Sequence, residues 1–177
     1  MAAPMPCPPR HKNIRLNARN YVGSGWYFLT LCTFRRALYF RSDQSARWLV
    51  GILQLGSTQQ AFQVRAYCIM PDHLHLLLQG MTPNADLLRF VGVFKHKTSF
   101  AFRARTGKTL WQTSFYDHIL RGNEAPADVA WYIWMNPVRA GLAEKATDYP
   151  YSGPFCSEWT ASGPPLTPWS PPASNRI

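Results

Sequence analysis

The stretch AFQVRAYCIMPDHLHLLLQ, residues 61–79, limits the possible fold more than any other part of this chain. Two runs rich in apolar residues, Ala61 to Met70 and His73 to Gln79, are separated only by Pro71-Asp72. Proline presets the first turn position and aspartate bonds its own backbone, so the pair reads as a tight turn between two strands. Strand side chains alternate faces, which sends Leu74, Leu76 and Leu78 one way and His73 and His75 the other. The leucines require a core behind them. The two imidazoles, about 6.6 Å apart along the strand, can converge on one metal ion or simply be hydrogen-bonded on a half-exposed surface. Zinc with Cys68 as a third ligand is conceivable, although no fourth ligand at zinc-like spacing is present.

The flanking pattern supplies the remaining elements. Residues 25–33, GWYFLTLCT, are aromatic and β-branched and read as a strand. Ser42 or Asp43 caps an expected helix from Gln44 to Leu55, ended by Gly56, with Leu49, Ile52 and Leu53 inward. A longer helix opens at Asn84, and Leu87, Phe90, Val91, Phe94, Thr98 and Ala101 form its inner stripe at helical spacing, with Gly107 to end it. An extended stretch from Ser114 to Arg121 follows, then a helix from Pro126 to about Asn136. The order strand, helix, strand, strand, helix, strand, helix indicates an α+β fold of the ferredoxin-like sort, mostly antiparallel, with one added helix. Residues 1–14 read as a flexible, basic, proline-rich lead-in, 15–151 as the folded domain and 152–177 as an irregular Pro/Ser-rich tail.

Charge narrows the partner. Nineteen Lys and Arg against nine Asp and Glu give a formal +10, spread from Arg10 to Arg139, and fourteen of the nineteen are arginine. A folded basic domain of this kind reads as a polyanion binder, most simply of nucleic acid. No run approaches the roughly 20 apolar residues of a bilayer span, and prolines interrupt the N-terminus where a signal peptide needs an apolar helix. No membrane association and a cytoplasmic location are therefore expected. The scattered cysteines suit a reducing compartment and free thiols. Arginines interleaved with aromatics can track phosphates and stack unpaired bases, which suits a single-stranded nucleic acid. Lys95, Lys97, Arg121 and Arg139 are the candidate phosphate contacts, against the alternative of ordinary solvated surface charges.

A second segment, WYIWMNPVRAGL at residues 131–142, places Tyr132 and Asn136 four residues apart on a predicted helix, hence on one face. Pro137 disfavours the helical conformation at Asn136, so the helix is expected to loosen there. If this helix lies across the histidine face, two imidazoles, an amide oxygen and a phenol share one spot.

The two segments together resemble the single-tyrosine HUH transposases, the insertion-sequence 200-like group, and most closely the REP-associated tyrosine transposases. Met70-Pro71-Asp72-His73-Leu74-His75 looks like that family's histidine motif, and Tyr132 to Leu142 like its tyrosine-helix signature. Gly25 to Thr30, Leu110-Trp111-Gln112, Phe115 to His118 and Tyr149 to Ser152 extend the likeness over about residues 15–152. The resemblance implies that His73 and His75 bind a divalent cation, Mg²⁺ or Mn²⁺, and that Tyr132 is the nucleophile. Asn136 matches the position of the wider group's third ligand. It also implies a 5′-phosphotyrosine intermediate in cutting and joining single-stranded DNA, and favours a monomer over a dimer. A DNA-binding relative that does not cleave, and a metal-dependent nuclease using water, are the competing readings.

Overall fold

The computed structural model describes residues 17–57 and 61–172. A five-stranded antiparallel sheet forms its centre: β1 (Trp26–Cys32), β2 (Phe62–Met70), β3 (His73–Gly80), β4 (Tyr116–Ile119) and the short β5 (Ser152–Gly153), in the order β4-β1-β3-β2-β5. The central pair β1 and β3 is buried along almost its whole length, as the unbroken apolar character of both segments requires. Pro71-Asp72 makes the β2–β3 turn, and the register sets His73 opposite Cys32 and Met70, and His75 opposite Thr30 and Cys68.

Each face of the sheet carries its own core. On one side α1 (Asp43–Ser57) and α2 (Leu87–Thr106) cover Tyr27, Leu29, Leu31, Leu74, Leu76 and Leu78. On the other, α3 (Pro126–Trp134) covers Phe28, Ala66, Cys68, Met70 and Leu77. The fold is thus an α+β sandwich with the histidines on the α3 side. Two further short helices follow, α4 (Asn136–Arg139) and α5 (Ser157–Thr160). No helix among the described residues is long and apolar enough to cross a membrane.

Several element boundaries depart from the sequence pattern for identifiable reasons. The Asp86 carboxylate, not Asn84, caps α2 by accepting from the Arg89 amide at 3.0 Å. Backbone bonds from Gly23 to Ala85 and the Val22–Asp86 bridge hold the preceding residues extended. The inner stripe of α2 ends on Phe102 rather than Ala101, because Phe102 is one turn beyond Thr98 and meets Tyr39 and Trp48. A bulge at Arg65 shifts the register between Val64 and Ala66. The extra residue inverts the facing of β2, so that Cys68 and Met70 join the histidine side. The stretch read as an irregular tail supplies β5, α5 and an indole, Trp169, that packs on the sheet. Residues 1–14 lie outside the described residues, as do 173–177 of the tail. Cys68 and Cys156 are free thiols as expected, whereas Cys32 is disulfide-bonded, contrary to the expectation.

Candidate active site

His73 and His75 project from β3 onto the same face, with their Nε2 atoms 3.0 Å apart. Each ring is held from behind through its other nitrogen. His73 Nδ1 donates to the Asp72 carboxylate at 2.5 Å, and Asp72 is itself paired with the Arg36 guanidinium at 3.1 Å. His75 Nδ1 lies 2.9 Å from the Thr30 hydroxyl, directly across the β1–β3 ladder. A carboxylate can only accept, so His73 carries a proton on Nδ1, which in the neutral ring leaves the Nε2 lone pair bare. Thr30 can donate or accept, so His75 is able to place its proton on either nitrogen. With the His73 ring neutral and no third party, His75 Nε2–H donates to His73 Nε2 and Thr30 donates to His75 Nδ1. Moving that proton to Nδ1 turns Thr30 into the acceptor and leaves two lone pairs aimed at one point.

Burial keeps His75 uncharged. His75 is almost fully buried, stacked on Phe28 with ring centroids 5.6 Å apart. Burial, then the neighbouring His73, Arg139 and Arg36 charges, hold its pKa well below the usual imidazole range, so it is neutral. Asp72 is held low in spite of its burial, by the His73 hydrogen bond and the nearby His73 and Arg36 charges. These features fit a divalent cation: two imidazoles of fixed orientation, each with an outer partner. No group of three His, Cys, Asp or Glu side chains converges among the described residues. Burial drives the Cys68 thiol pKa far up, and its Sγ donates to Met70 Sδ at 3.6 Å.

Helix α3 brings Tyr132 beside the histidines, its ring centroid 6.0 Å from that of His75 and 5.7 Å from that of Phe28. Burial raises the Tyr132 pKa, and the Arg139 charge acts in the opposite direction. The Arg139 guanidinium lies 4.6 Å from the centre of the phenol ring. How Arg139 gets there follows from Pro137. Proline has no N–H to continue the helical ladder, so α3 ends at Trp134 and leaves carbonyls of its last turn without helical donors. Arg139 Nη2 donates to the Tyr132 carbonyl at 2.6 Å, and Asn136 Nδ2 donates to the Tyr132 and Ile133 carbonyls at 2.9 and 3.3 Å. The expected loosening falls at Met135, with α4 starting at Asn136. Asn136 therefore sits next to the tyrosine but uses its amide nitrogen to cap α3; its recorded contacts are with that helix rather than with the imidazoles.

The remaining candidates separate by environment. The Lys95 ammonium donates to the Gln112 and Thr113 carbonyls at 2.7 and 2.8 Å, which ties α2 to the following loop. Lys97 and Arg121 are exposed. Asp117 faces the α1–α2 side, where the Tyr21 hydroxyl donates to it at 2.6 Å. His118 faces the histidine side and bonds Glu124 at 2.8 Å. Thr30, Arg139 as a partner of the phenol, Glu124 and Trp169 were not evident as site residues from sequence. A cue existed for Thr30, the one aliphatic hydroxyl inside the buried strand WYFLTLC.

The chain as a whole is similar to known proteins. The profile of the family described as "Transposase IS200 like" matches residues 21–135. A Haemophilus influenzae protein named as a candidate REP-associated tyrosine transposase is 29% identical over 147 residues, covering 76% of this chain and 82% of the relative. The Escherichia coli REP-associated tyrosine transposase is 23% identical over 134 residues, covering 76% and 79%. Among solved structures, a REP-associated tyrosine transposase bound to a REP hairpin shares the fold, with a TM-score of 0.67 at 21% identity over 94% of this chain and 95% of that one. A structure described as a candidate transposase of Deinococcus radiodurans has a TM-score of 0.50 at 28% identity, over 67% of this chain and 95% of that one.

Proposed function

The chain belongs to the IS200-like transposase family, and we propose that it is a single-stranded DNA endonuclease and strand-transferase whose nucleophile is the Tyr132 hydroxyl. The single observation that carries this reading is the meeting, within one chain, of the Tyr132 ring with two imidazoles whose Nε2 atoms lie 3.0 Å apart. Water-based hydrolysis would not need a buried phenol beside that pair.

His73, His75 and Asn136 are the residues that would hold a divalent cation, and their mixed nitrogen and oxygen donors suit Mn²⁺ or Mg²⁺. When bound, such an ion neutralises the phosphate oxygens that repel an incoming nucleophile. The chain does the rest. Phe28 and α3 hold the phenol in place, and the Arg139 charge favours its ionised form against the effect of burial. The Tyr132 oxygen forms a bond to phosphorus as the bond to the 3′-oxygen breaks, giving a 5′-phosphotyrosine and a free 3′-hydroxyl. The phosphoester energy is kept, so the 3′-hydroxyl of another strand can displace the tyrosine and join DNA without ATP.

The substrate is single-stranded DNA presented by a hairpin. A net charge of +10 supports this, as does the fold shared with a relative solved on a REP hairpin. Lys97, Arg121 and Arg139 are the phosphate contacts we favour; Lys95 acts there only if it gives up its carbonyl partners. The protein works as a monomer, since α3 packs on the histidine face of its own sheet, and it works where the DNA is, at the nucleoid.

The test is incubation with end-labelled hairpin-bearing strands and Mn²⁺, followed by a denaturing gel. Protein–DNA adducts formed by the native chain and abolished by Tyr132→Phe are expected. Cutting that survives Tyr132→Phe would establish the water-using nuclease instead. Specific binding with neither adduct nor cut product would establish a non-cleaving DNA-binding relative.

A further inference from the structure

The Trp169 indole lies within the aromatic layer that holds the nucleophile, and its surroundings are unlike those of an ordinary core tryptophan. Its ring centroid is 5.2 Å from both Phe28 and Tyr132, edge to face, and 6.1 Å from His118. Its Nε1–H donates to Glu124 Oε1 at 2.9 Å. Glu124 is built to accept. His118 Nε2 bonds both of its oxygens at 2.8 and 2.9 Å, and the Arg121 amide donates to Oε2 at 2.9 Å. Burial works against its charge, but the Arg121, Trp169 and His118 hydrogen bonds outweigh it and keep the carboxyl ionised. The chain on either side of Trp169 is exposed at Leu166, Thr167, Pro168 and Ser170. One half-buried indole thus reaches into the site from an otherwise solvated segment, which a second bond, from the Tyr116 hydroxyl to the Pro172 carbonyl, also tethers.

An indole is a flat bicycle with one N–H on its edge. An unpaired purine has the same outline and also offers N–H donors along one edge, whereas a pyrimidine fills less of the space. We propose that the space filled here by Trp169, bounded by Phe28, Tyr132, His118 and Glu124, is a receiving site for one unpaired purine next to the scissile phosphate, with Glu124 accepting from the base edge. The inference rests on the strand-cutting reading above and deepens it. It makes Glu124 a specificity-determining residue and Trp169 an internal stand-in for the base. Position supports it: the ring that contacts Trp169 is the ring that carries the attacking oxygen, so a base held here sets the phosphate beside that oxygen.

The experiment measures affinity by fluorescence anisotropy for a labelled DNA hairpin with a six-nucleotide single-stranded extension. The full-length chain carries Tyr132→Phe, which keeps the ring and prevents covalent trapping. Each extension nucleotide is made abasic in turn. The expected result is one position whose abasic form binds at least ~5-fold more weakly, as base–aromatic contacts do. At that position purines are preferred, and Glu124→Gln removes the preference there and nowhere else. Trp169→Ala, which empties the space, tightens binding of the intact extension but not of the strand abasic at that position. Trp169→Phe, which keeps an aromatic filler without the N–H, tightens it less. Indifference of the intact extension to both Trp169 variants, or a purine preference untouched by Glu124→Gln, overturns the base site. The adduct assay with the native chain is run alongside. Adducts together with that indifference sink only the base site, whereas no adduct on any strand sinks the cutting reading.

Discussion

Two side chains tune the groups that carry the proposed reaction. Thr30 is the switchable partner of His75, able to donate to Nδ1 when Nε2 holds the proton and to accept when Nε2 is needed as a ligand. Thr30→Val keeps shape and removes both options. It is expected to weaken Mn²⁺ binding, measured by calorimetry, by ~10–100-fold, the usual effect of losing an outer partner of a ligating histidine. Unchanged affinity would exclude Thr30 as an outer partner of a ligating His75. Arg139 acts on the proposed nucleophile. Burial disfavours the Tyr132 phenolate and the guanidinium favours it. Removing the positive charge therefore raises the phenol pKa further, and the alkaline rise of adduct formation moves to higher pH. Arg139→Gln should show that displacement and Arg139→Lys should show less of it. A lower rate with an unmoved pH profile would mean that Arg139 only caps α3.

The elements were legible in the sequence to the extent that local signals decided them. Period-2 alternation around Pro71-Asp72 produced the hairpin, and the periodic apolar stripe produced α2. What stayed hidden depends on contacts made by distant segments. The α2 cap moved from Asn84 to Asp86 because residues near Val22 pair with that loop. The Arg65 bulge has no glycine or proline to announce it, yet it decides that Cys68 and Met70 share the histidine face. Gly80, at the end of β3, shows the same dependence. A Cβ there would lie 2.0 Å from the Gly23 carbonyl oxygen, a backbone atom that cannot swing away. Gly80→Ala should cost about 1–3 kcal/mol, the range for an overpacked core, and lower the melting temperature accordingly. A melting temperature equal to that of the native chain would refute this close approach.

At the scale of the whole molecule, the sheet separates two tasks. Its leucine face, with α1 and α2, forms the larger core, and its other face presents histidines, phenol and arginine under α3. Much of that second face could be read from sequence, since His73, His75 and Tyr132 are each marked by a short motif. The residues that complete it could not. Thr30 becomes relevant only through strand pairing, Glu124 through His118, and Trp169 through a segment whose composition suggests no packing at all. Asn136 is an intermediate case: its placement beside Tyr132 follows from helical spacing, while its bonds to the α3 carbonyls follow from the gap left by Pro137.

The account stands on one covalent bond, from the Tyr132 oxygen to the 5′ phosphate of cut DNA. Its most direct measurement is mass spectrometry of the proteolysed adduct, formed with a hairpin-bearing strand and Mn²⁺. The account predicts a nucleotide attached through phosphate to the peptide containing Tyr132, and to no other peptide. Attachment to another residue, or cut strands with no modified peptide, would contradict it.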